Sequence, residues 1–280
     1  MNKNIDQISF FHLDEEVETQ SLFIGSIQSL SQSLVIVELK SSGVYWINNK
    51  TIEKLISITK DKESLEGRNI QNDITKKFTF PFSYFIVRKD WVGKLYVFSA
   101  IDTLLMKEKK IAIALDGNAS SGKTSFGKLL NQVYDCNLFH IDNYFQKPVQ
   151  NQYDEYSHYA RNINFNRIRK EILIPIEKKE ESIIQKMDFK THTLSEPITM
   201  PYQKLSIIEG AYSMHPYIID NYDLKVFMKV SYFNQIKRIY KRNGFKKLLE
   251  FMRKWIPMEN KYFRRLKIES KADIILKSVK

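Results

Sequence analysis

A chain of 280 residues, 43% hydrophobic and 27% charged, can bury a substantial core without cross-links. Cys136 is its only cysteine, which excludes a disulfide scaffold and makes a reducing, cytoplasmic setting the expectation. The first residues are acidic where an export signal needs an apolar run, and no run of about 18 apolar residues occurs, so neither export nor membrane spanning is expected.

In chain order, SLVIVE (33–38) is a short β-branched strand, and TIEKLISI (51–58) carries apolar residues at helical spacing. The polar stretch 61–77 reads as loop. FTFPFSYFIV (78–87) and KLYVFSAI (94–101) both read as strands, broken at Lys89, Asp90 and Gly93. Residues 1–108 therefore read as a small α+β module without a chemical motif, in which His12 is an ordinary surface residue. Charge separates this part from the rest. Residues 1–108 sum to −1 and residues 109–280 to +13, within a total of +12. Such an excess suits a phosphate-handling site or a nucleic-acid surface, and a lysine-rich genome would produce a similar one.

After the charged MKEKK (106–110), the apolar run IAIAL (111–115) has the character of a strand buried on both faces. From there SFGKLLNQVY, NLFHI, FNRIRKEILIPI, KLSIIEG, LKVFMKV and FNQIKRIYK alternate between helix-like and strand-like patterns. That alternation predicts an α/β domain over 109–280, a parallel sheet flanked by helices.

The first strand ends at Asp116 and runs into Gly117, Asn118, Ala119, Ser120, Ser121, Gly122, Lys123 and Thr124, followed by Ser125. This is a Walker A phosphate-binding loop in its proper strand-to-helix setting. Its backbone N–H groups curl around phosphate, Lys123 reaches the β- and γ-phosphates of ATP, and the Thr124 hydroxyl takes a position on Mg²⁺. The strand NLFHI delivers Asp142 to the same sheet edge, where a carboxylate can take a proton from a substrate hydroxyl, or can simply start a turn. LSIIE delivers Glu209 there as the expected metal-side carboxylate, with Asp116 as its competitor. Arg238 and Arg242 share one helical face ahead of Asn243-Gly244, where a mobile lid would supply positive charge; on its own the segment also reads as a solvated basic helix.

Taken together, GNASSGKTS, FHIDNYFQKP, NINFNRIRKEILIPI, DFKTHT, IIEGAYSMHP, YDLKVFMKV and RIYKRNG with WIPMENKYF resemble, in order, the uridine kinase family of P-loop nucleoside kinases, over about 110–278. The resemblance implies a P-loop NTPase fold and an ATP- and Mg²⁺-dependent kinase acting on the primary hydroxyl of a uridine- or cytidine-like nucleoside. It implies that Asp142 is the general base, that Tyr144, Asn164, Phe189 and His192 contact the acceptor, and that Arg238 and Arg242 belong to a lid. FHIDNYFQKP is closer to nicotinamide riboside kinases. Met187 stands where uridine kinases carry Tyr, Asn164 stands in place of a ribose-binding Asp, and the lid is short. Kinases of nicotinamide riboside or pantothenate type are the alternative, and an RNA-binding P-loop switch is the rival from another class. The expected partner is a small-molecule acceptor rather than nucleic acid or a membrane, with a homo-oligomer left open.

Overall fold

The computed structural model describes residues 24–29, 34–39, 47–62, 84–107, 110–146, 159–160, 162–188, 191 and 193–278. The chain separates into two compact units, one ending at Lys107 and the other beginning at Glu108.

In the first unit, β1 (Ile24–Ser29), β2 (Leu34–Leu39) and β3 (Tyr84–Arg88) form an antiparallel sheet in that order. Helix α1 (Asn49–Lys62) buries Ile52, Leu55 and Thr59, a spacing that lies on one helical face. Its start is held by the Asp102 carboxylate, which accepts the Asn48 N–H at 2.7 Å and the Thr51 hydroxyl at 3.0 Å. The strand expected over 94–101 is not formed. A 3-10 turn at Lys89–Lys94 leads into helix α2 (Leu95–Lys107). Every residue from Leu95 to Ser99 is buried, as are Ile101 and Asp102, so this helix has no polar stripe to reveal its period. A short apolar run with β-branched and aromatic residues then looks like a buried strand. The stretch expected as loop over 61–77 begins inside α1, and His12 and residues 63–83 lie outside the described residues.

The second unit opens with β4 (Ile111–Gly117), α3 (Lys123–Val133) and β5 (Cys136–His140). A helix follows over 165–178, here α4, which widens into a π turn at Arg169–Leu173. Four short strands come next: β6 (Ser182–Ile184) pairs with β9 (Ile198–Met200), and β7 (Met187–Asp188) with β8 (Thr193–Leu194). The rest comprises β10 (Leu205–Glu209), β11 (Leu224–Lys229), α5 (Tyr232–Glu250), α6 (Ile256–Arg265) and β12 (Ile274–Lys277).

The main sheet is wholly parallel, in the order β12, β11, β4, β10, β5. All seven residues of β4 are buried, as its uninterrupted apolar run requires. Ala112, Ala114, Phe139 and Ile208 pack with Ile168, Ile172 and Ile176 of α4 and with Tyr262 and Phe263 of α6 in one core. Helix α3 packs on β4, β5 and β10 and buries Phe126, Leu129 and Leu130. The chain leaves β4 for the edge strand β5, returns through β10, and then passes to the other side of β4 as β11. The direction of winding thus reverses at β4, and a crevice opens beyond the carboxyl ends of the strands there. Together with the Walker A loop that follows β4, this is a P-loop NTPase fold. Among the described residues no helix is long and apolar enough to cross a membrane.

Candidate active site

Parallel register alone brings three chemically active strand ends together. Leu115 pairs with Glu209, and Glu209 pairs with His140, so the P-loop, the Glu209 carboxylate and the turn carrying Asp142 share one edge. The close approach depends on glycine at two points. Gly117 has φ of +139°, and a Cβ there would lie 2.1 Å from the Met228 carbonyl oxygen of β11. Gly210 has φ of +143°, and its Cβ would come within 2.7 Å of Ile141 Cβ.

Asp116 is fully buried, and its oxygens are spoken for. Oδ1 accepts the Gly117 N–H at 2.7 Å, while Oδ2 accepts the Met214 N–H at 2.9 Å and the Tyr262 hydroxyl at 2.8 Å. Asp116 therefore anchors the loop to the core rather than competing for the metal shell. Burial pushes its pKa up, and the Met214 N–H, the Lys123 charge and the other donors pull it back.

Within the loop, Lys123 turns inward and donates to the carbonyls of Gly117 at 2.7 Å and Asn118 at 2.9 Å. Asn118 Oδ1 accepts the Val230 N–H at 3.3 Å, which ties the loop to the end of β11. The buried hydroxyl oxygens of Ser120 and Ser121 have no protein partner. Orphaned hydroxyls, a buried ammonium and a helix N-terminus form a donor set suited to the phosphates of ATP. Ser125 is exposed on the first turn of α3.

Thr124 Oγ1 donates to Glu209 Oε1 at 3.1 Å, and His140 Nδ1 lies 2.5 Å from the same oxygen. Among the described residues no group of three or more His, Cys, Asp or Glu could hold a metal by itself. The hydroxyl and carboxylate fit Mg²⁺, which usually relies on phosphate and water oxygens for the rest of its shell.

Asp142 lies in the 3-10 turn Ile141–Tyr144 after β5. The residue is exposed, yet the protein atoms around it take away part of its hydration. That loss raises its pKa, the nearby Glu209 charge raises it further, and Lys123, His140 and Arg242 oppose the rise. A base that is less acidic than a free carboxylate is better matched to taking a hydroxyl proton near neutrality. On either side of Asp142 in sequence, His140 and Asn143 line a cavity of about 240 Å³. Tyr144 and Lys186 also line it, along with the apolar side chains of Leu138, Ile184, Ile198 and Met200.

The expected lid residues occupy α5. Arg238 donates to the Ser120 carbonyl at 3.3 Å, and Arg242 donates to Asn243 Oδ1 at 2.7 Å while its charge is felt by Asp142. Helix α5 breaks at Gly244, which has φ of 76° and ψ of 177°. Asn164 Oδ1 caps α4 by accepting the Arg167 N–H at 3.1 Å, and the residue does not line the cavity. Phe189 and His192 lie outside the described residues.

Sequence reasoning did not single out three residues that shape the site. Arg167 forms a two-point ion pair with Glu171, at 2.7 and 3.0 Å, and donates to the carbonyls of Asn143 and Gln185 at 3.5 and 2.9 Å. Its spacing of four from Glu171 was a legible signal. His140 carried a weaker one, its place at a strand end. Glu259 of α6 carried none, yet its Oε2 accepts the Ala119 N–H of the P-loop at 2.9 Å.

No family model and no curated protein matches the chain. Solved structures similar to it include one described as a possible uridine kinase from Bacillus stearothermophilus, at 17% identity over 63% of this chain and 95% of that one, with a TM-score of 0.46. Another, from Silicibacter sp. TM1040 and described provisionally as a fructose transport system kinase, is 14% identical over 63% of this chain and 97% of that one, with a TM-score of 0.44.

Proposed function

We propose that residues 109–280 form an ATP- and Mg²⁺-dependent kinase that phosphorylates the primary hydroxyl of a uridine- or cytidine-like nucleoside, and that residues 1–108 take no part in the chemistry. The observation that carries this reading is the convergence of the P-loop, the Thr124–Glu209 pair and Asp142 on one sheet edge beside a cavity of about 240 Å³. In that arrangement Lys123 exchanges the carbonyls of Gly117 and Asn118 for the β- and γ-phosphates. Thr124 and Glu209 would hold the metal, which would draw charge from the phosphate oxygens. Asp142 accepts the proton of the acceptor hydroxyl as its oxygen bonds to the γ-phosphorus and the bond to ADP breaks. Arg238 and Arg242 carry positive charge to the transferring group.

Lys186 at the cavity favours a second reading, an acceptor that bears an anionic group, as a kinase of pantothenate type would take. The test is ATP turnover against a panel of uridine, cytidine, nicotinamide riboside and pantothenate, with RNA as a separate arm. Transfer to a nucleoside by the protein, lost in Lys123→Ala, supports the first reading. Turnover stimulated by RNA without transfer to any small acceptor would overturn the kinase assignment.

A further inference from the structure

Glu259 belongs to the first turn of α6, an element that takes no part in the chemistry proposed above. Yet its carboxylate is buried, at 8% exposure, and accepts the Ala119 N–H at 2.9 Å. In a P-loop, inward N–H groups serve phosphate oxygens, and a carboxylate oxygen is the same kind of acceptor. Other side chains hold the loop from its carbonyl side: Gln235 donates to the Ala119 carbonyl at 3.2 Å and Arg238 to the Ser120 carbonyl at 3.3 Å. Glu259 alone among these three side chains accepts from a loop N–H. Phosphates arriving at this loop meet a carboxylate already bound to one of its donors.

We infer that Glu259 is an internal anion that occupies the phosphate-binding loop in the absence of nucleotide, and that nucleotide binds only once it is protonated. The inference rests on the loop being a nucleotide site and not on the identity of the acceptor. The charged and titratable groups that face Glu259 are Lys123 from α3, Asp116 from β4, Asp142 from the turn after β5, and Tyr212 from the segment after β10. Burial raises the Glu259 pKa most; Lys123 and the Ala119 N–H lower it, Asp116 and Asp142 raise it, and the balance stands at about 7. The carboxylate is thus charged on the alkaline side of neutrality, where it competes with phosphate, and neutral on the acid side, where it does not.

Affinity for a non-hydrolysable ATP analogue with Mg²⁺, measured by calorimetry on the full chain and on Glu259→Gln, tests this. If only the uncharged form admits phosphate, the variant binds about tenfold more tightly than the parent at about pH 8, and the ratio falls to about one by about pH 6. The analogue's own titration is common to both proteins and cancels in the ratio. In buffers of different ionisation heat, the parent takes up close to one more proton on binding than the variant does at about pH 8. Equal or weaker binding by Glu259→Gln at about pH 8 would overturn the inference and leave the residue a structural tie, as would a ratio that ignores pH. Were the variant not to fold, the parent's proton uptake alone decides, and none at about pH 8 overturns it. Failure of the parent to bind the analogue at any pH would remove the nucleotide site itself, and this inference with it. Binding with a flat ratio removes only the role of Glu259.

Discussion

Neutralising Glu259 should stabilise the protein in alkaline solution, although the side chain makes a good hydrogen bond. The carboxyl has an ordinary value of 4.5 and is held at about 7 in the folded chain, chiefly by burial. Between those values the unfolded chain has released the proton while the folded chain keeps it. Stability therefore falls as pH rises across this window, and below it the group contributes no difference. The gap is about 2.5 units, and at 1.36 kcal/mol per unit the loss reaches about 3 kcal/mol once pH exceeds about 7. Since the residue is only 8% exposed, solvent screening removes little of that. Glu259→Gln keeps the size and an oxygen to accept the Ala119 N–H but has no proton to lose. Its stability relative to the parent should rise from near zero at about pH 4.5 to about 3 kcal/mol at about pH 8. Urea unfolding, read by pulsed hydrogen exchange on peptides from β4, reports on this unit rather than on residues 1–107. Parallel stability curves for the two proteins would refute the reasoning, because they would mean that the carboxyl titrates alike folded and unfolded.

Gly117→Ala places a methyl group against the backbone of β11 at a backbone angle that side chains avoid; a loss of about 2–5 kcal/mol in urea unfolding is expected. Asp142→Asn should lower transfer to the true acceptor by about 10² to 10⁴ with little change in nucleotide affinity, as measured by turnover and calorimetry on the same preparation. Arg167→Ala should cost about 1–3 kcal/mol and speed hydrogen exchange over Ile141–Tyr144, since its contacts with Glu171, Asn143 and Gln185 all disappear.

Much of the fold of the second unit was legible because its local signals agree. The apolar run of β4, the glycines and lysine of the loop, and the helical spacing after them each specify the same strand, turn and helix. The first unit was harder. Residues 95–101 form a helical stretch whose faces are nearly all buried, and without a polar side neither period shows through. In α5 the Asn243-Gly244 pair marked the break correctly, because Gly244 takes a conformation closed to other residues in a helix.

What the sequence determined by itself was the local chemistry: a phosphate-binding loop, carboxylates at two strand ends, and arginines one helical turn apart. Only the tertiary structure decided how these share their partners. Asp116 and Glu209 both end buried strands and look alike as a string of residues. Tyr262 and Met214, from distant segments, saturate Asp116, while Glu209 faces Thr124 and His140. Asn164 became a helix cap, and Glu259, 140 residues along the chain from Ala119, became a ligand of the loop. A hydrogen bond and a desolvated charge depend on distances between atoms that the chain brings together only by folding, and no spacing along the sequence encodes them.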